Sequence, residues 1–558
     1  MPVGSLMRLL VLVIAGAAVA ACSSDADYAG TGVVGVDGGD ASAADGRDGA
    51  GDGGDGAADT GGNLVTGVRV FSGTAKMLFN GPSCTNDASV TGDRWCAFVT
   101  YTDATMETRS LYVFNASRVV AGADVRCGGG ASTDACLLLT ADLWGDSSNP
   151  VIHGTFFQGD TLVYYDHALA PYAWRPGLSK GRLLATFATG EDAVLCTPAP
   201  RGTAVLCVLL PVVEPDLNPT SGLAKLLIGK ADGAAEPLLA VADDVVLWTA
   251  ADAGFRPTFS FGFPPGAGDH VAWTTRDGEA GPETLRLQRA GDAASKVTVA
   301  SDVHDWDVTP DATRWFWLRG TQGTGVGTLQ TAPFPSGANP TDVRGDVSDY
   351  SIAPSDGKTI VALVKDRALV AIADPIAATS EVALDTGVEM VLSLSDAGHV
   401  AYIKKRLATN SGDLYVKKLD GAATCVVETT RPVPFRSVSF VPSAGAILWA
   451  HSYTDGFEAH YTRLADCNTM PVAADITLLE SVGHERVLFM DTFDDASVSG
   501  TLRVRVVGSG NTLTGDAPIP IADHVDSYAI AGPTPDMLLY TVNTRGENDG
   551  VYVRAFAD

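Results

Sequence analysis

Residues 64–558 predict an all-β fold of repeated four-stranded antiparallel units, on three observations. Two kinds of strand recur, one apolar on both faces and one alternating with charge. Turns rich in Pro, Asp and Gly separate them. No stretch after the first 21 residues carries a helical period of useful length.

The chain opens on a short leader. Arg8 gives a positive start, Leu9 to Ala18 an apolar run, and small residues lead up to Cys22. This is the layout of a cleaved secretory signal over residues 1–21. The run is well short of the roughly 20 residues a membrane-spanning helix needs. Val19-Ala20-Ala21-Cys22 resembles a bacterial lipobox, which implies cleavage before Cys22 and a diacylglycerol thioether on its sulfur. The competing reading is an ordinary secretory signal with a cysteine at the cut. Two acyl chains make such an anchor effectively stable. Ser23 and Ser24 follow, without Asp; by resemblance to enterobacterial sorting, that leans to the outer membrane, with the facing side open.

Residues 22–63 form the next segment, a linker of Gly, Ala and Asp in which nine aspartates between Asp25 and Asp59 face only Arg47. With almost no large apolar side chain after Val36, it cannot offset its ordering entropy and is expected to be disordered. Its span is roughly 30–40 Å. Asp-Gly repeats also occur in calcium-loaded β-rolls, but those need a large aliphatic residue in every repeat, and 52–59 offers only alanine.

In the long region from residue 64, one element is a short strand, a turn and an apolar strand: Ser351-Ile352-Ala353-Pro354-Ser355-Asp356-Gly357-Lys358 running into Thr359 to Leu363. It returns at Leu394 to Tyr402, and more weakly at Val308 to Asp311, Phe440 to Gly445, Gly159-Asp160 and Thr534 to Asp536. A second element, Asp413 to Lys418 before Asp420-Gly421, is an alternating strand entering a hairpin turn. The doubly apolar strand must be covered on both sides, whereas the alternating strand has a wet face. Blades stacked around an axis produce that gradient, and the spacing of roughly 40–50 residues suits them. The expectation is a β-propeller of about eight four-stranded blades, within a range of seven to ten, as one wheel or two.

The Pro-Ser-Asp-Gly-Lys turn, its apolar strand and the Leu-Tyr-Val strand resemble the TolB-type, WD40-like β-propeller repeat, most clearly over residues 300–450. The resemblance implies a fold used mostly for protein binding; it does not imply a chemistry.

Nine cysteines are an odd number. Setting Cys22 aside leaves Cys84, Cys96, Cys127, Cys136, Cys196, Cys207, Cys425 and Cys467, four sequential neighbours expected as disulfides of an oxidising compartment. Cys425 and Cys467 would join adjacent blades. A metal site is the alternative, but Cys-x2-Cys spacing is absent.

No catalytic residue, cofactor or metal site is expected. Gly-x-Ser-x-Gly, His-Glu-x-x-His and the phosphate-binding glycine loop are missing. His451 and His460 read as isolated structural histidines, and Trp306, Trp315 and Trp317 as core. One constellation repeats: Asp302-Val303-His304-Asp305-Trp306, Asp346-Val347-Ser348-Asp349-Tyr350 and Asp523-His524-Val525-Asp526-Ser527-Tyr528. On innermost strands, Asp305, Asp349 and Asp526 would form part of an acidic ring at the channel mouth, suited to a cation or a basic segment. Alternatively, each carboxylate bonds loop amides. A net charge of −28 argues against nucleic acid as partner. The partners expected are a membrane, through the lipid on Cys22, and a protein or surface polymer on one propeller face. The function expected is a non-catalytic binding or scaffold module, with an extracytoplasmic glycosidase or lyase as the alternative.

Overall fold

In the computed structural model, strands form seven hydrogen-bonded sheets. The structure describes residues 65–556 except for internal segments, the longest being 144–154, 212–222 and 247–260. The leader, Cys22 and the linker lie outside the described residues.

Four of the sheets are single four-stranded blades, and three are pairs joined by a strand that crosses from one blade into the next. Among the described residues this makes ten blades, at the upper end of the expected range rather than at eight. In chain order they span 75–140, 156–183, 192–246, 261–301, 303–347, 347–385, 388–434, 438–476, 478–525 and 525–555. The tenth takes its outermost strand from the start of the fold: Val68–Ser72 pairs antiparallel with Gly550–Ala555, Val68 opposite Val553. Gly67 makes this seam possible. Its φ is +130°, and a Cβ there would lie 2.8 Å from the Val553 carbonyl oxygen.

The cores show one closed wheel. Each of ten apolar clusters joins two consecutive blades, from Trp95 and Trp174 between the first and second to Leu488 and Tyr540 between the ninth and tenth. The tenth cluster packs Val70, Leu539 and Val551 of the last blade on Phe98 and Phe114 of the first, closing the ring.

The doubly apolar strand is the second strand of each blade, and its alternation explains the pattern. In Arg314–Arg319, Trp315 and Trp317 pack toward the fourth blade, while Phe316 and Leu318 pack toward the sixth. Outermost strands are wetter, as in Asp292–Ser301, where most side chains are exposed. The repeated turn is closed as its residues require. The Asp356 carboxylate accepts from the amides of Lys358 and Thr359, both at 2.8 Å, and Gly357 adopts φ +62°.

All four disulfides pair as the sequence suggested: Cys84–Cys96, Cys127–Cys136, Cys196–Cys207 and Cys425–Cys467. Cys196 and Cys207 sit directly opposite on neighbouring strands. Cys425, on the outermost strand of the seventh blade, ties to Cys467 in the last turn of the eighth.

Candidate functional site

The three candidate aspartates lie on innermost strands: Asp305 in Val303–Val308, Asp349 in Thr341–Ile352 and Asp526 in Ile519–Ala531. The repeat that carries them is a hinge. A residue of positive φ (Asp302, Asp346, Gly387, Asp475, His524) precedes a buried aliphatic one (Val303, Val347, Val388, Ile476, Val525). Val347 pairs backward with Gly327 and forward with Val364, so the strand changes blades at this residue. In the first two copies of the sequence motif the first Asp is therefore a backbone residue, because Asp tolerates the left-handed region better than most, while in the third His524 takes that place after Asp523.

After each valine the register slips. Asp305 pairs with Leu318 and Asp349 with Leu363, leaving His304 and Ser348 bulged. In the tenth blade Ser527 takes the paired place and Asp526 is the bulged residue. Asp305 and Asp349 are thus equivalent positions on neighbouring strands, and Asp526 is one residue out of step with them.

Their electrostatics differ accordingly. Burial pushes Asp305 up to about 6; the Trp306 amide opposes this and the Glu283 charge adds to it. Burial pushes Asp349 up to about 7, with the Asp305 charge adding, against a bond from the Tyr350 amide. Glu480, on the inner strand of the ninth blade, is pushed up to about 7 by burial although the Tyr528 hydroxyl donates to it at 2.7 Å. Asp526 is also raised by burial, but nearby Lys76 opposes the shift, as do side-chain bonds from Thr541, Asn543 and Ser527. Asp526 is therefore held in a local polar network at the junction with the first blade. Asp305 and Asp349 lie at equivalent positions on neighbouring innermost strands, close enough for the Asp305 charge to act on Asp349.

The loop-amide alternative is partly met. Asp305 does accept from a backbone amide, that of Trp306 at 2.9 Å. That bond uses one carboxylate oxygen, and burial outweighs it, while the Glu283 charge adds less than the bond removes. Glu480 was not singled out from sequence, because nothing in Leu478–Val482 repeats the Val-x-Asp pattern. The expectation of isolated histidines is corrected. His451 Nδ1 and His460 Nε2 lie 3.1 Å apart on adjacent strands, with Glu458 3.0 Å from His451 Nε2. Trp315 and Trp317 are core as expected, and half-buried Trp306 packs edge-on against Trp315 at 5.8 Å. Among the described residues, surface clefts of about 320 Å³ beside Asp302 and Asp346 and of about 710 Å³ beside Tyr164 and Tyr172 include none of the three candidate aspartates in their lining.

No family model matches the chain. No curated protein matches it. Among solved structures it is similar to a eukaryotic initiation factor, with 12% identity over 76% of this chain and 95% of that one and a TM-score of 0.43. It is similar to the β-propeller domain of the trilobed protease from Pyrococcus furiosus, with 12% identity over 61% and 98% and a TM-score of 0.31. It is also similar to TolB from Acinetobacter baumannii, with 12% identity over 51% and 81% and a TM-score of 0.27. The architecture rests on the chain's own strand pairing and cores.

Proposed function

We propose that this chain is a lipid-anchored, non-catalytic β-propeller of the bacterial cell envelope that captures a basic segment of a protein or surface polymer at the acidic arc of its channel. The observation that carries this reading is the placement of Asp305 and Asp349 at equivalent positions on neighbouring inner strands, where the Asp305 charge adds to the cost of ionising Asp349. A cationic side chain arriving there would relieve both desolvation and mutual repulsion. The chain's net charge of −28 would steer such a partner toward it. Export is supported by the four disulfides, which belong in an oxidising compartment. The lipid on Cys22 and the linker would hold the wheel roughly 30–40 Å from an outer-membrane surface.

A fluorescent oligolysine peptide tests this reading. The wild-type chain should bind it in a salt-sensitive manner, with affinity rising from pH 5 to pH 8 as the arc ionises. Asp305→Asn combined with Asp349→Asn should weaken binding about tenfold or more; unchanged binding would remove the channel from the account.

The second reading is a glycosidase or lyase in the same channel. It draws on the pair of carboxyls raised to about 6 and about 7, because acid–base cleavage of a glycoside needs one protonated and one ionised carboxyl. A polysaccharide-cleaving activity that is lost in the same double variant, with folding intact, would favour it over binding alone.

A further inference from the structure

We infer that the eighth blade carries a transition-metal site, independent of the channel, built from His451, Glu458 and His460. Its basis is the hairpin of Ala446–Tyr453 and Gly456–Arg463, whose register sets His451 opposite Glu458 and Trp449 opposite His460. Residues two apart on a strand share a face. All four side chains therefore emerge on one side of the sheet, and Ala450 and Ala459 on the other.

One ligand atom from each of His451, Glu458 and His460 lies within 4.8 Å of the other two. The His451 Nδ1 to His460 Nε2 gap is 3.1 Å. The carboxylate faces the other ring nitrogen of His451, so a single ion shared by all three side chains would take Nε2 of both rings. Glu458 reaches both rings, at 3.0 Å from His451 Nε2 and 3.7 Å from His460 Nε2. Two imidazoles and one carboxylate select borderline ions such as zinc, iron(II) or cobalt(II) over calcium and magnesium, which take oxygen.

The surroundings are those of a prepared site. Trp449 stacks on the His460 ring at 4.3 Å, and its indole nitrogen donates to Thr462 Oγ1 at 2.8 Å, which fixes the ring's wall. Trp449 belongs to the apolar core between the seventh and eighth blades, alongside Val433 and Phe440. Both histidines are buried and Glu458 is half-buried. Three protein ligands leave a coordination position for water or an anionic ligand.

The test uses the full chain after chelator treatment, titrated with Co2+ and with Zn2+ alone. One equivalent should bind saturably, and the Co2+ complex should show visible bands and an X-ray absorption shell containing two imidazoles. His451→Ala and His460→Ala should each weaken binding at least about 100-fold, and Glu458→Gln about tenfold or more. Should those variants misfold, His460→Gln and the wild-type absorption shell carry the test instead. Asp305→Asn with Asp349→Asn should bind as wild type. Absence of saturable binding, an oxygen-only shell, or unchanged affinity in a folded His460 variant would overturn the assignment. So would loss of the metal in the channel variant.

Discussion

The carboxyl of Asp349 sits in a setting that opposes its ionisation, and that has a sign which can be measured. Its ordinary value lies near 4, and burial together with Asp305 pushes it to about 7. The folded chain therefore holds a proton that the unfolded chain has lost between those values, so stability falls as pH rises from about 4 to about 7. Asp349→Asn should raise stability by about 1–3 kcal/mol at pH 8, with channel water reducing the effect, and change it little at pH 4. Thermal melts at the two pH values check this; a loss at both would mean the carboxylate mainly holds backbone. Asp356 has the opposite sign. Burial opposes its ionisation, but bonds from Thr359 and Lys358 prevail and hold it below the usual carboxylate range. Its contribution is present at neutral pH and lost as pH falls through its own lowered value. Asp356→Ala should cost about 1 kcal/mol at pH 7, read from the urea midpoint, and less in acid.

Strands and turns give the repeat its grammar, and much of it was legible in the residues. The Pro-Ser-Asp-Gly-Lys turn, the sandwiched second strand and the wet outermost strand were all readable, because each has a local cause in turn chemistry or periodicity. The hinge was visible only as an unexplained repeated Asp. Its meaning, a left-handed residue before a buried valine, depends on where a strand changes partner, which composition does not record. The bulge that offsets Asp526 from Asp305 and Asp349 was hidden for the same reason. The histidine pair was missed although a signal existed: His451 and the Glu458-x-His460 pair flank an Asp455-Gly456 step that reads in the sequence as a hairpin signal, and the register joins Tyr453 to Gly456 there. Counting outward from that turn sets them on one face. At the hinge, Asp346→Gly should leave stability within about 0.5 kcal/mol, whereas Asp346→Val should cost about 1–2 kcal/mol, since β-branched residues resist positive φ. Gly266, at φ +64°, would set a Cβ 2.2 Å from the Pro310 carbonyl oxygen of the next blade. Gly266→Ala should therefore destabilise more than either hinge change, by about 2 kcal/mol or more, in the same denaturant assay.

At the scale of the molecule, the number of blades was the least legible quantity. Degenerate copies blur into their neighbours, and three crossing strands merge blades in pairs. Only the closed succession of cores, with Val70 and Val551 packed against Phe98, counts ten. Removal of residues up to 72 would strip the outermost strand from the tenth blade and Val70 from that core. Such a truncation should lower the melting temperature by several degrees even with all four disulfides intact. Outside the wheel, Cys22→Ala should release the protein from the membrane fraction or leave it unprocessed, and normal retention would remove the lipid anchor. The most direct test of the ring itself is single-particle imaging of the purified chain. Ten radial sheets around a single central channel, with the Val68–Ser72 strand completing the last, is the expected view. Two separate wheels, or a closed ring of fewer blades, would contradict it.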